Sequence, residues 1–253
     1  MASTTTGKSG MIKADQPRCF PLNVLVAVSS RQDGSVLDRT VNDRHASDIV
    51  TNRKNFCKEA GIAYENCVYQ IISYEPTATF DAIKEVDTPN TDGVTADVLY
   101  TETSGVGLFL PIADCVPAVI YDAKRCSLAV AHLGRHASIA QTMTKTINYF
   151  TQKGSDAADL VIWMGPSVSK EDYVLEYFHH TSDDGWSDYA YDSREGIHLD
   201  LAGFNKNLAM LAGVEESNIF TSRVNTARSD NYFSHSQGDA NGRFAVVATM
   251  FST

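Results

Sequence analysis

Three short apolar runs lie close together in the middle of this chain: residues 105–112 (GVGLFLPI), 116–121 (VPAVIY) and 127–132 (SLAVAH). A strand that buries one face alternates apolar and polar residues, whereas a strand apolar almost throughout buries both. These runs therefore predict a sheet covered on each side, and residues 122–125 between the last two read as a hairpin turn. The remaining elements supply the cover. Residues 22–29, 68–73, 159–164, 218–222 and 243–251 read as further strands, and 88–95 (TPNTDGVT) as a turn-rich loop. Residues 46–60 read as a helix stopped by Gly61, with Ile49 and Phe56 on one face. A second helix is predicted over 137–152, its stripe formed by Ile139, Met143, Ile147 and Phe150, and a third over 201–211, capped by Asp200 and striped by Leu201, Phe204, Leu208 and Leu211. Strands and helices mix along the whole length with no break in composition. The expected fold class is α+β (mixed α/β), one layered domain over 19–253 behind a disordered tail at 1–18.

Charge and cysteines narrow the function. The net charge of −10 disfavours a nucleic-acid backbone or an anionic membrane as main partner, while leaving room for a small anion in a local basic pocket. Cys19, Cys57, Cys67, Cys115 and Cys126 are odd in number and form no C-x-x-C pair, which points away from a disulfide framework and towards a reducing, cytoplasmic setting. The first fifteen residues carry no apolar core of the kind a secretory signal needs, and no apolar run is long enough to span a membrane.

The chemistry concentrates at two strand ends. Asp114-Cys115 closes one buried strand and His132 closes another a hairpin later, so the thiol and the imidazole are expected to meet at one sheet edge. Such a pair can ligate a soft metal, act as nucleophile and base with Asp114 as orienter, or simply pack, since a cysteine on a buried strand is ordinarily inert. The adjacent His179-His180 looks like a metal pair, but neighbours on a strand point to opposite faces, so both are expected to face solvent.

The stretch IADCVPAVIYDAKRCSLAVAHLG resembles the core signature of the laccase-domain family, the purine nucleoside phosphorylases and deaminases once labelled polyphenol oxidases. Ala113, Asp114, Cys115 and Pro117 match its A-D-C-x-P strand pair, and His132 and Gly134 its His-x-Gly turn. Asn52-Arg53, Gln70, Asp92-Gly93, Gly165-Pro166, Asp200-Leu201 with Asn205, and Gly242-Arg243 resemble further motifs in the same order, so the likeness covers residues 22–251. It implies two mixed sheets packed between helices in α/β/β/α layers. It also implies one zinc held by two histidines and a cysteine (copper being the older label), with phosphorolysis or deamination of purine nucleosides. Carried over, Cys115 and His132 become metal ligands and catalytic residues with Asp114. Arg53, Gln70, Arg135 and Arg243 become substrate-binding residues, and purine nucleoside and phosphate the partners of a monomer or homodimer.

The chain departs from that pattern at three places. The family's Q-x-H reads Gln70-Ile71-Ile72, which removes a ligand. Its H-A-G-W-R-G turn reads His132-Leu133-Gly134-Arg135-His136-Ala137. Its S-Y-R-R reads Ser234-His235-Ser236-Gln237. His136 or His235 is the candidate replacement for the third ligand. Three functions follow from these residues: a zinc-dependent purine nucleoside enzyme, a metal-free Cys–His hydrolase, or a non-catalytic descendant that binds nucleosides or proteins.

Overall fold

The computed structural model describes residues 10–39, 44–181, 183 and 185–252. In chain order the strands are β1 (Val24–Val28), β2 (Cys67–Ile71), β3 (Ile83–Glu85), β4 (Asn90–Thr95), β5 (Val98–Thr101), β6 (Gly107–Ile112), β7 (Val116–Asp122), β8 (Ser127–Leu133), β9 (Val161–Met164), β10 (Val174–Leu175), β11 (Ala190–Asp192), β12 (Ile197–Leu199), β13 (Ile219–Thr221) and β14 (Phe244–Met250). The helices are α1 (Ser47–Ala60), α2 (Arg135–Ile139), α3 (Thr142–Gln152) and α4 (Leu201–Leu211). One sheet runs β1-β14-β6-β2-β4, a second β13-β9-β7-β8-β5-β3, and a small third β10-β12-β11. Both large sheets mix parallel and antiparallel pairs.

The expected layering is what the chain adopts, and strand alternation explains it. Leu108 and Leu110 of β6, Val119 and Tyr121 of β7, Leu128 and Val130 of β8, and Val246 of β14 fill the space between the two large sheets. The residues between them point outwards. Phe109, Val247 and Tyr69 pack under α1 with Phe56. Ala118, Ile120, Ala129 and Ala131 pack under α3 and α4 with Met143, Ile147, Phe150, Phe204 and Leu208. Each central strand is thus sealed on both faces, which is why it reads as continuously apolar.

Several details differ from the sequence reading. Residues 90–95 form a strand despite their polarity, because β4 sits at a sheet edge where only one side needs a partner. The helix expected over 137–152 is two helices, broken at Gln141, whose φ of 56° is left-handed. Leu211 ends α4 at 76% exposure rather than in its stripe. Of the expected tail, residues 1–9 lie outside the described residues, but 10–18 are packed: Gln16 accepts from the Val28 N–H at 2.8 Å and donates to its carbonyl at 3.1 Å, and Ile12 packs against the inter-sheet core. That side chain satisfies the outer edge of β1 as a neighbouring strand would. Asp200 caps α4 as expected, accepting from the Gly203 N–H at 2.8 Å.

Candidate active site

The turn between β6 and β7 brings Cys115 to the end of β8. Asp114 makes the turn with a left-handed φ of 64°, and Pro117 lies opposite His132 in the ladder. Gly134, just past β8, explains the close approach: a Cβ there would sit 2.9 Å from Cys115 Sγ and 3.1 Å from His132 Cε1. Its φ of −81° is ordinary, so glycine is required for room rather than for conformation.

Cys115 and His132 form part of the floor of a cleft of about 550 Å³. Gln70, Ile72, Tyr69, Tyr74 and Arg243 line it with them, and Arg39 and Arg44 stand over it. Gln70 is fully buried and donates from Nε2 to the carbonyls of Ala96 (3.1 Å) and Asp97 (2.8 Å). Among the described residues, three that line the cleft carry a buried polar atom with no hydrogen-bond partner: Tyr69 Oη, Gln70 Oε1 and His132 Nδ1. Buried polar atoms are normally paired, so each of these three is left at a cost where it stands.

The two candidate catalytic groups are uncharged at neutral pH. Burial, with the Asp114 carboxylate nearby, pushes the Cys115 thiol up to about 12, against a smaller opposing pull from Arg243 and Arg135. Burial and the Arg243 cation bring His132 down to about 4. A thiol that high does not pass its proton to an imidazole that low.

The other residues singled out in the sequence divide cleanly. Asp114 is near Cys115, yet its carboxylate accepts from Thr226 Oγ1 and from the Ser236 N–H, each at 2.7 Å, and makes no hydrogen bond to His132. It ties a turn in place rather than orienting the imidazole. Arg53 does not reach the cleft. Only 1% exposed, it donates to the Val36 carbonyl and the Tyr64 hydroxyl and lies 4.1 Å under the Tyr69 ring, where it supports the lining from behind. Arg135 begins α2 beside the cleft without lining it. His136 is exposed, its ring 4.6 Å from that of Phe80, and His235 is exposed on a short 3-10 turn. Neither joins Cys115 and His132, and among the described residues no three of His, Cys, Asp and Glu are grouped to hold a metal ion. His179 is exposed and His180 hydrogen-bonds Asp183.

Arg39, Arg44 and Tyr74 were not read from the sequence as site residues. Arg39 and Arg44 fall in the irregular connection between β1 and α1, where no periodicity or spacing reports which way a side chain points.

Comparison with known proteins finds relatives over most of the chain. The family model described as multi-copper polyphenol oxidoreductase laccase matches residues 27–251. A purine nucleoside phosphorylase of Staphylococcus aureus (strain COL) is 27% identical over 201 residues, which are 75% of this chain and 73% of that one. Purine nucleoside phosphorylase YlmD of Bacillus subtilis (strain 168) is 35% identical over 81 residues, 32% of this chain and 29% of the relative. Among solved structures, the hypothetical protein YfiH of Bacillus licheniformis superposes with a TM-score of 0.76 at 20% identity, over 90% of this chain and 92% of that one. YlmD of Geobacillus stearothermophilus does so with a TM-score of 0.76 at 19% identity, over 91% and 93%.

Proposed function

The chain belongs to the multi-copper polyphenol oxidoreductase laccase family, and from that membership we propose that it is a purine nucleoside enzyme whose reaction is phosphorolysis. The names of its relatives support the substrate class. The observation that carries the reading is the cleft itself, where Cys115, His132 and Gln70 line one wall and Arg39, Arg44 and Arg243 supply positive charge.

The donor set does not fit a resident zinc of the kind the family resemblance implies. Cys115 and His132 provide two donors, Ile72 stands where the third belongs, and neither His136 nor His235 replaces it. A catalytic zinc rests on three protein ligands and an open position. No step is therefore routed through a metal, whether zinc or the copper of the older label.

This favours phosphorolysis over deamination. Deaminating adenosine requires water activated as a nucleophile, which is the task a bound zinc performs in nucleobase deaminases. Phosphorolysis brings its own nucleophile. An oxygen of hydrogenphosphate bonds to C1′ of the ribose, the C1′–N9 bond breaks, and the proton of the phosphate ends on the departing base. The protein has to hold two reactants in line, exclude water and offer hydrogen bonds to the leaving purine. Neutral His132 is suited to the last of these roles and the arginines to holding phosphate. A Cys–His hydrolase is less well supported, because thiol and imidazole are both neutral and Asp114 is engaged elsewhere.

Chromatography of inosine and adenosine incubated with the protein tests this. Free base and ribose 1-phosphate, formed only when phosphate is present and lost in His132→Ala, are expected. Inosine formed from adenosine without phosphate would point to deamination instead. No product from either nucleoside would leave a binding role on an inherited scaffold.

A further inference from the structure

Asn205 is polar where the packing asks for an apolar residue. On the inward side of α4, Leu201, Phe204, Leu208 and Ala209 all belong to the hydrophobic core over the six-stranded sheet, and Asn205 is fully buried among them. Its Oδ1 has no hydrogen-bond partner, whereas Nδ2 donates to the Leu201 carbonyl and to Ser138 Oγ, both at 2.8 Å. Burying an amide with one end unsatisfied costs stability that a leucine of similar size would not. What the amide supplies is direction. The Leu201 carbonyl can only accept, so the NH2 end of the amide must face it and Ser138 together. Ser138 Oγ therefore accepts from Asn205, and its own hydrogen goes to the Gly134 carbonyl at 2.9 Å.

The far end of this relay is a weak element. The helix α2 has five residues, too few to hold together by itself. Its N-cap is Gly134, which has no side chain to cap with, and the left-handed Gln141 separates it from α3. Ser138, fully buried, donates twice to the Gly134 carbonyl, from its N–H at 2.8 Å and from its hydroxyl. Gly134 in turn lies so close to Cys115 Sγ and the His132 ring that a Cβ on it would press on both. Any shift of Gly134 is therefore passed to the thiol and the imidazole. Neither Ser138 nor any residue of α4 lines the cleft, so this influence is indirect.

We propose that Asn205 and Ser138 are positioning residues, which set the place of Cys115 and His132 in the cleft through the Gly134 carbonyl. The effect on rate rests on His132 serving in turnover, as the phosphorylase reading has it. The placement of the two groups rests on no reaction. Because neither Asn205 nor Ser138 touches substrate, losing the relay lowers kcat and leaves KM nearly unchanged.

Two single variants of the full chain and their combination test this, each studied well below its melting temperature. Ser138→Ala removes the hydroxyl with a residue that favours a helix, and Asn205→Leu removes the donor while keeping the core filled. Phosphorolysis of inosine should lose about tenfold in kcat in either single variant, with KM within about twofold of the parent. The double variant should be no slower than the slower single one, because the two hydrogen bonds act as one. Two further readouts need no turnover. One is the rate at which iodoacetamide modifies Cys115, and the other is the NMR signal of the His132 Cε1–H, assigned by its loss in His132→Gln. Both should change in each single variant. The inference is overturned if both match the parent in Ser138→Ala, if the variants lose melting temperature with kcat intact, or if the two losses in kcat add in full. Should the parent turn over no nucleoside while the thiol rate and the imidazole signal respond, the relay stands and the phosphorylase reading falls.

Discussion

The side-chain amide of Gln70 and the backbone N–H of His132 donate to the same oxygen, the carbonyl of Asp97, at 2.8 and 2.9 Å. Gln70 belongs to the five-stranded sheet and His132 to the six-stranded one, so one acceptor couples the two layers at the cleft. Gln70→Leu removes that coupling, takes from the buried Ala96 carbonyl its side-chain donor and leaves the Asp97 carbonyl with the His132 N–H alone. The expected cost is about 1–3 kcal/mol in urea denaturation, with weakened nucleoside binding. A variant as stable as the parent would mean that the sheets are held in register without this amide.

His132 makes stability depend on pH. An unfolded histidine takes up its proton near 6.5, whereas the folded one waits until about 4. Between those values the unfolded chain binds a proton that the folded chain refuses, so stability is full above about 6.5, falls as the pH drops, and levels off below about 4. This group alone accounts for roughly 3 kcal/mol across the window. Denaturation at neutral pH and in mild acid should therefore show a smaller acid loss in His132→Gln than in the parent. Equal losses would remove His132 as the source.

Ile72 lines the cleft with Cys115 and His132 and cannot coordinate a metal. Ile72→His supplies the missing donor type at that place. Elemental analysis should then find about one zinc per chain, lost again on adding Cys115→Ser, against well below one in the parent. The same zinc content in parent and variant would show that isoleucine is not what limits metal binding.

Thiol reactivity separates the cysteines. Cys126 is exposed, while Cys115 is held up near 12. Iodoacetamide at neutral pH should modify Cys126 well before Cys115, as read by peptide mass spectrometry. Faster modification of Cys115 would revive the nucleophile reading.

Much of the layered fold was legible because burial on two faces leaves a mark in the chain: β6, β7 and β8 are apolar at nearly every position. The meeting of Cys115 and His132 followed from the same hairpin. What was not legible depends on partners far away in sequence. The strand β5 (Val98–Thr101) has strand-favouring residues but only four of them, too few for a pattern to stand out, and it is fixed by its pairing with β8 and β3. Asp114 looked like a catalytic orienter until Thr226 and Ser236, more than a hundred residues later, were seen to occupy both its oxygens. Arg53 looked like a ligand-binding residue because its role, supporting Tyr69 from behind, is a matter of packing direction alone.

The position of β14 has a consequence for how the molecule assembles. The strand β14 sits between β1 and β6, so β1 stays separated from the rest of the five-stranded sheet until residues 244–250 are in place. The facing edges of β1 and β6 must wait unpaired until the strand that joins them, later in the sequence than both, takes its place. Such high contact order slows folding and exposes surfaces prone to stick to one another. The cleft inherits that timing, because Arg243 enters it on the residue just before β14. A chain lacking that segment would present the Cys115–His132 hairpin with the wall around Arg243 missing.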